Sequence, residues 1–395
     1  MDTVLVNHFN NLDFDVRKKR GGYSRFIDQK VTPDVLSFIA DCIKNLSLKN
    51  FTVRDIWESS YFEKNTVAIF GKPAPSNESA FSEYNKFIGQ PLKALYYAGV
   101  LNEAKVSNTN LYSINNFEVL SYIAINDRNS FSFLYYYLYK VLEDSGFYPH
   151  ITKYISDVSD TSKSNNEPYI ELKQMFTRFI LGHTEITGNL EINRIFPKVI
   201  NIFAAKLGLP GSEKGKVTTY PFVFSDLMYN RTNFRDLKKN KGVARGEADT
   251  VVKQQGKYAE YLITKAKKII RELYKDSEVK DQWSKGEATY IHHIMPQSQY
   301  PQFATYLENL IKLTPEQHFG HAHPSAHTNT VDSSYQLVCL LSKLHSIERS
   351  LSRGESIYDL SMFIEILNER FKFKMQSNSG IENIRNKLLS LQDKQ

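Results

Sequence analysis

Histidines are concentrated in one short part of this 395-residue chain. Seven of the ten histidines lie between residues 292 and 345, and six of these lie between 292 and 327. An imidazole ring can exchange a proton near neutral pH and can bind a metal ion through either ring nitrogen. Such a density therefore predicts one site built from several histidines in the C-terminal part of the chain, rather than histidines scattered over a surface.

Two short strands are predicted around this cluster. Apolar and β-branched residues lead into the pair His292-His293, and Pro296 prevents the strand from continuing in a central sheet. A loop over residues 299–308 follows, and the segment 309–313 (NLIKL) then predicts a second short strand.

A helix is predicted directly after the second strand. Thr314 and Gln317 have the spacing of a capping box, and Pro315 stands at the first helical position. His318 is therefore expected in the first turn of this helix, and the predicted order is strand, loop, strand and helix.

This arrangement resembles the HNH nuclease motif, the ββα-metal fold. The residues that carry the resemblance are the His-His pair in IHHIMPQS, Asn309 in ENLIKLT and His318 in PEQHFGHAH, all within residues 289–323. The resemblance implies that His293 is the general base, that His292 and His318 bind a metal ion, and that Asn309 braces the loop and orients the base.

The chemistry of phosphodiester hydrolysis explains these residue types. A neutral imidazole can deprotonate the attacking water near pH 7, and a divalent cation neutralises charge that develops on the phosphate and the leaving oxygen. Adjacent strand residues point to opposite sides, so His292 can face the metal while His293 faces water. Many members of the family carry Asp where this chain has His292. One divalent ion is expected, Mg²⁺ first, with Mn²⁺, Zn²⁺ or Ni²⁺ as alternatives because imidazole suits them better.

The helix offers two further candidate metal ligands. In the family it often supplies a histidine four residues after the first, but here that position is alanine, flanked by His321 and His323. His321 is one helical turn from His318, which suits a shared ligand sphere. His323 could join only if Gly320 and Pro324 distort the end of the helix. Both histidines stay candidates.

Structural zinc is the main alternative for the cluster. Such a site normally recruits cysteine, and the chain has only Cys42 and Cys339, neither of them near the histidines. Two cysteines also exclude a disulfide scaffold and fit a reducing, cytoplasmic location. With 41% hydrophobic and 24% charged residues, and no apolar stretch long enough for a membrane span, we expect a globular chain with no membrane partner.

The N-terminal part, residues 1–126, predicts a small DNA-recognition module. It has three predicted helices followed by a hairpin, over residues 33–45, 51–60, 82–98, 101–106 and 111–114. This order resembles a winged helix-turn-helix, in which the third helix enters the major groove. Its exposed face carries Lys86, Gln90 and Lys93, which we expect to contact DNA. A helical module without a DNA role is the alternative.

Basic residues are unevenly distributed. The formal net charge is +7, and the segment 211–285 carries enough excess Lys and Arg to account for it. Within it, Arg231, Arg235, Lys238 and Lys239 alternate with Asn and aromatic residues, a composition that suits phosphate contact. A long helix over residues 251–274 follows, with a predicted polar surface formed by Lys257, Lys265, Lys267, Lys268 and Arg271. An ordinary solvated helix face is the alternative interpretation.

The expected fold is mostly α with small β elements. Four regions are predicted: the winged-helix-like module 1–126, a helical connector 127–210, the basic DNA-contacting segment 211–285, and the HNH nuclease domain with C-terminal helices 286–395. A DNA-recognition module joined to a nuclease domain implies a site-specific double-stranded DNA endonuclease that resembles type II restriction enzymes. If the two modules act separately, we expect shifted cleavage (type IIS). Three alternatives remain open: a modification-dependent nuclease, a homing-type nuclease, and a DNA-binding regulator with a degenerate motif.

One HNH centre cuts one strand in each event, so a homodimer on DNA is a further hypothesis. The predicted helix over residues 335–351 carries an apolar stripe that serves either as intramolecular core or as a dimer interface, formed by Leu337, Leu340, Leu341, Leu344 and Ile347.

Overall fold

The structure, a computed structural model, divides the chain into two compact units: unit 1 contains residues 5–257, and unit 2 contains residues 258–395 together with residues 3–4 at the start of the first helix. The structure describes residues 3–18, 26–70, 72, 75–76, 81–159, 166–229, 245–323 and 331–392, with side chains at all of these except 245–255. The expected mostly helical fold with small sheets is confirmed. The finer division into four regions stays a prediction.

The first part of unit 1 combines helices with a three-stranded antiparallel sheet of order β1-β3-β2. Its elements are α1 (Thr3–Phe9), α2 (Pro33–Asn45), β1 (Asn50–Phe51), α3 (Val53–Trp57), α4 (Ser60–Phe70), α5 (Phe81–Tyr97), β2 (Leu101–Val106) and β3 (Thr109–Ile114). The predicted helix over 33–45 and the predicted hairpin are confirmed.

The prediction of one helix over residues 51–60 is wrong. Phe51 in β1 pairs with Tyr112 in β3. Thr52 then forms a capping box with Asp55 that starts the short helix α3. A separate helix, α4, begins at Ser60. A cap placed after a buried strand residue fixes where a helix can begin, because the cap residue itself has extended backbone angles.

The middle of unit 1 is helical, as predicted for residues 127–210. Phe133, Leu134, Tyr137 and Leu138 are fully buried, so the dense aromatic run forms core. The elements are α6 (Phe117–Ile125), α7 (Asp127–Asp144), α8 (Tyr148–Ser159), α9 (Asn166–His183), α10 (Asn189–Leu207) and the hairpin β4 (Pro210–Glu213) with β5 (Lys216–Pro221).

Unit 2 contains the histidine cluster. The helix α11 (Arg245–Leu273) includes the boundary between the units, and the two strands form an antiparallel pair in which His292 is opposite Ile311 and His293 is opposite Leu310. The remaining elements are β6 (Tyr290–His293), β7 (Leu310–Leu313), a π-helix (Glu316–Ala322), α12 (Ser333–Ser352), α13 (Leu360–Phe371) and α14 (Ile381–Gln392).

Apolar residues of the loop between β6 and β7 pack on α13. Met295, Phe303 and Tyr306 form a buried cluster with Met362 and Ile366. This burial of apolar surface stabilises the packing of the loop against α13.

The apolar stripe of α12 belongs to the core of unit 2. Leu337, Leu340, Leu344 and Ile347 are buried within the chain and Leu341 is partly buried, so the stripe packs mainly as intramolecular core. On α11, Lys265 is buried beside the ring of Tyr261, and its predicted place on a polar surface is wrong. In the described part of the chain, we find no helix with both the length and the apolar character needed to cross a membrane.

Candidate metal and nuclease centre

The strand β6 separates its two histidines. His292 is buried, with 2% of its surface exposed, whereas His293 is only partly buried. The two side chains point to opposite sides of the strand, because successive residues of a strand alternate. The expected separation of their environments is therefore present.

Three histidines converge beside β6. His292, His318 and His323 each offer a ring nitrogen, and these atoms lie within 4.8 Å of one another. The rings are nearly perpendicular, with centroids 5.4 Å apart for His292 and His318, 4.9 Å for His292 and His323, and 5.0 Å for His318 and His323. No two of these rings stack face to face, and a ring nitrogen of each lies within reach of a common centre.

Two of the buried nitrogens in this group lack a hydrogen-bond partner. Nε2 of His292 and Nδ1 of His318 are buried, and no group in the described residues pairs with either atom. A buried polar atom left unpaired costs roughly 1–3 kcal/mol, and such atoms are rare in folded proteins. Coordination of a cation would satisfy both nitrogens, so the donor set fits a metal ion.

A π-helix selects which of the two later histidines joins the group. The amide of His323 donates to the carbonyl of His318, five residues earlier, at 3.0 Å. The wider turn brings the fifth residue back toward His318, whereas an α-helix would favour the third or fourth. His321 instead stacks on Trp283, with ring centroids 3.6 Å apart. The structure thus brings His323, and not His321, to the other two histidines.

The capping box predicted for this helix is present. The backbone amide of Thr314 donates to Oε1 of Gln317 at 3.0 Å, and the amide of Gln317 donates to Oγ1 of Thr314 at 3.2 Å. Gln317 is fully buried, and its Nε2 also donates to Asp281 Oδ1 at 2.8 Å. These bonds fix the start of the helix and therefore the position of His318 in its first turn.

His293 has a defined ring orientation. Its Nε2 lies 3.1 Å from the carbonyl oxygen of Ala304. A carbonyl can only accept a hydrogen bond, so Nε2 carries the proton and Nδ1 keeps a free lone pair. Nδ1 is therefore the atom that can accept a proton.

Asn309 ties the loop that supplies this carbonyl. Its Oδ1 accepts from the amide of Met295 at 2.7 Å, and its Nδ2 donates to the carbonyls of Met295 and Phe303, each at 3.1 Å. Asn309 is completely buried. Since Phe303 directly precedes Ala304, these bonds hold the acceptor of His293 in place.

Burial and a nearby lysine keep the histidines neutral. Burial lowers the pKa of His293 and of His318 to about 4 each, and it lowers the pKa of His292 well below the ordinary value. Neighbouring positive charge adds to the effect, and the ammonium of Lys267 on α11 acts on all three rings. Neutral imidazole is the form that binds metal or accepts a proton. The sequence suggested only a polar-surface role for Lys267, because no local pattern reveals that a distant helix lies beside β6.

Aromatic side chains border the cluster. Tyr290 stacks on His318 with centroids 4.8 Å apart, and Phe319 contacts both rings edge-on. Phe319 is 45% exposed although it is large and apolar. The local sequence gave no signal for this arrangement, which depends on the strand and the π-helix packing side by side.

The residues predicted to contact DNA in the N-terminal part lie on α5. Lys86 is exposed. Gln90 accepts a hydrogen bond from the backbone amide of Lys30 at 2.8 Å, and Lys93 forms an ion pair with Glu103 at 2.5 Å. Both of these side chains therefore have partners within the chain.

Within the basic segment 211–285, the predicted contacts Arg231, Arg235, Lys238 and Lys239 lie outside the described residues. Directly before them, the amide of Tyr229 donates to both carboxylate oxygens of Asp34, at 3.0 and 2.8 Å. The chain is therefore attached to α2 at Tyr229.

Comparisons with known proteins identified no similar protein. No protein-family model matches the chain, and neither the curated proteins nor the solved structures contain a significant match.

Proposed function

We propose that this chain is a metal-dependent phosphodiester hydrolase of the HNH type that cleaves double-stranded DNA. One observation carries the proposal: ring nitrogens of His292, His318 and His323 converge within 4.8 Å, and two of these histidines have a buried ring nitrogen without a partner among the described residues. This group stands beside a fourth histidine, His293, whose Nδ1 is free to accept a proton.

The residues of this group would hold one divalent cation. When bound, the cation would supply positive charge against the phosphate and the leaving oxygen. Imidazole donors favour Mn²⁺, Zn²⁺ or Ni²⁺, whereas Mg²⁺, the first expectation from the resemblance, prefers oxygen ligands. The absence of a nearby cysteine argues against a purely structural zinc site, which normally recruits thiolates.

The chain's own groups account for proton transfer. His293 would take a proton from the attacking water at Nδ1, while the bond from its Nε2 to Ala304 holds the ring in the required tautomer. Asn309 does not face solvent and would act by fixing the loop that carries Ala304. His293 is thus the general base and Asn309 a positioning residue.

The site-specific part of the proposal concerns unit 1. The order α2, β1, α3, α4, α5 and the β2–β3 hairpin supports a winged-helix-like DNA-recognition module, with the exposed Lys86 on α5. A DNA-recognition module joined to a nuclease domain supports a type II restriction endonuclease acting in the cytoplasm. Double-strand cleavage would then need either a homodimer on the DNA or rebinding of one copy to the second strand.

The experiment is an incubation of the full chain with supercoiled plasmid and one metal at a time: Mn²⁺, Zn²⁺, Ni²⁺ or Mg²⁺, with EDTA as the blank. We expect metal-dependent conversion to nicked, linear or discrete fragments. Dependence on methylated substrate would identify a modification-dependent nuclease. Intact DNA with every metal would overturn the nuclease proposal, and a gel shift of that intact DNA would identify a DNA-binding regulator.

A further inference from the structure

The C-terminal end of α11 is fastened to the strand pair that carries the histidines. The ammonium of Lys312 on β7 donates to the carbonyls of Arg271, Tyr274 and Lys275. The backbone of Lys312 also bonds to Glu278, through its amide at 3.0 Å and its carbonyl at 3.0 Å. Lys312 pairs with Ile291, the residue before His292. The last turns of α11 are therefore held next to β6.

Lys267 lies one helical turn before Arg271, on the same side of α11. It is partly buried, and within the described residues no hydrogen bond or ion pair reaches its ammonium. Two buried lysines of unit 2 have partners at the ammonium: Lys343 pairs with Glu278 at 2.7 Å, and Lys312 donates to three carbonyls. Lys267 differs from them because it is partly desolvated without a partner among the described residues, and its positive charge acts on His292, His293 and His318.

The charges around this ammonium favour an anion. Besides burial, the one group that acts on the pKa of Lys267 is Arg271, which also carries positive charge. A cation held by His292, His318 and His323 would add to the positive electrostatic potential at Lys267. A partly buried ammonium tolerates such surroundings when an anionic ligand completes them.

We propose that Lys267 contacts a non-bridging phosphate oxygen of the nucleic-acid strand bound at the histidine site. The inference rests on the proposed function and adds to it the residue that seats the substrate's phosphate. The contact uses the lysine as a point charge, and it would hold the diester before the cation is bound. Lys267 would thus contribute both to DNA binding and to the stabilisation of the negative charge that develops on the phosphate during cleavage.

The test compares Lys267→Gln with Lys268→Gln. Lys268 is the next residue, is exposed, and lies 3.9 Å from Glu272, so it controls for the loss of one positive charge on α11. Binding of a short fluorescein-labelled DNA duplex is measured in EDTA over a range of salt concentrations, and plasmid cleavage is measured with the metal that supports the wild-type protein.

For Lys267→Gln we expect weaker metal-free binding, with the slope of log K against log salt reduced by roughly 0.9, as for the loss of one phosphate contact. We expect cleavage to fall by about 100-fold, the order seen when one charge-stabilising donor is removed. Lys267→Arg keeps the charge and should restore both the slope and most of the cleavage. If Lys267→Gln fails to fold, the comparison of Lys267→Arg with the wild-type protein still tests the proposal.

The outcomes separate the two proposals. A wild-type protein that is inactive with every metal overturns the proposed function. An active wild-type protein with Lys267→Gln indistinguishable from Lys268→Gln in slope and in cleavage overturns only the role of Lys267. That role is likewise overturned if Lys267→Arg is as impaired as the glutamine variant.

Discussion

The side-chain amide of Asn309 and the main chain of Met295 are joined by two hydrogen bonds. Oδ1 accepts from the amide of Met295 at 2.7 Å, and Nδ2 donates to its carbonyl at 3.1 Å. The same Nδ2 reaches the carbonyl of Phe303, so one buried side chain closes the loop at both ends. The ring of His293 depends on this closure, since its acceptor Ala304 is the next residue.

Replacing Asn309 by Asp tests this closure. Asp has the same shape but cannot donate to the carbonyls of Met295 and Phe303, and it would bury a charge. We expect the free energy of unfolding to fall by about 2–4 kcal/mol. Urea unfolding followed by circular dichroism measures it, with Asn383→Asp on the exposed face of α14 as the control. Equal losses in the two variants would contradict the bracing role.

Replacing His293 by Ala should remove cleavage and leave the fold and metal binding intact. General-base catalysis contributes roughly 10²–10⁴-fold, and the ring lies on the opposite side of β6 from His292. His345→Ala is the control, because this histidine is exposed on α12. Plasmid cleavage and calorimetric metal titration are measured side by side. An unchanged cleavage rate would remove the assignment of the base.

Metal titration should separate His323 from His321. His323→Ala removes one of the three converging nitrogens, whereas His321 stacks on Trp283 outside the group. Loss of an outer-sphere partner alone costs about 10–100-fold in affinity, so loss of a ligand should cost at least about 100-fold. We expect little change for His321→Ala. The opposite order of affinities would show that the π-helix rearranges when metal binds.

The stability of unit 2 should depend on the protonation of Glu308. This side chain is buried, and its Oε1 accepts from the amide of Asp359 at 2.7 Å. Burial raises its pKa from 4.5 to about 7. Because the folded pKa is the higher one, this contribution to stability is fully present below about pH 4.5 and is lost as the pH rises through about 7.

Glu308→Gln is uncharged at every pH and keeps the acceptor for Asp359. Relative to wild type, its free energy of unfolding should rise by about 2–3 kcal/mol between about pH 5 and pH 8, at about 1.4 kcal/mol for each tenfold change in the protonation equilibrium. Glu260→Gln on the exposed side of α11 is the control. Parallel stability curves for wild type and Glu308→Gln would contradict the raised pKa.

Local sequence patterns were sufficient for several elements. The helix over Pro33–Asn45, the hairpin after α5, the strands on both sides of the loop and the capping box of Thr314 follow from caps, turns and alternation, which act between near neighbours. The single helix over 51–60 failed because pairing of Phe51 with Tyr112 is not local.

The candidate site divides in the same way. The sequence by itself determined that His292 and His293 stand on one strand and that His318 stands in the helix after the second strand. Asn309, predicted as the first residue of the second strand, instead ends a 3-10 turn directly before β7. Helical spacing favoured His321 over His323, whereas the structure brings His323 to the other two histidines through a π-helix that the local sequence did not predict. The sequence could not place Lys267, since a helix finds its neighbour through contacts far apart in the chain. Only the tertiary structure decided which helix lies beside β6, because that placement depends on long-range contacts such as the hydrogen bonds of Lys312 to the end of α11.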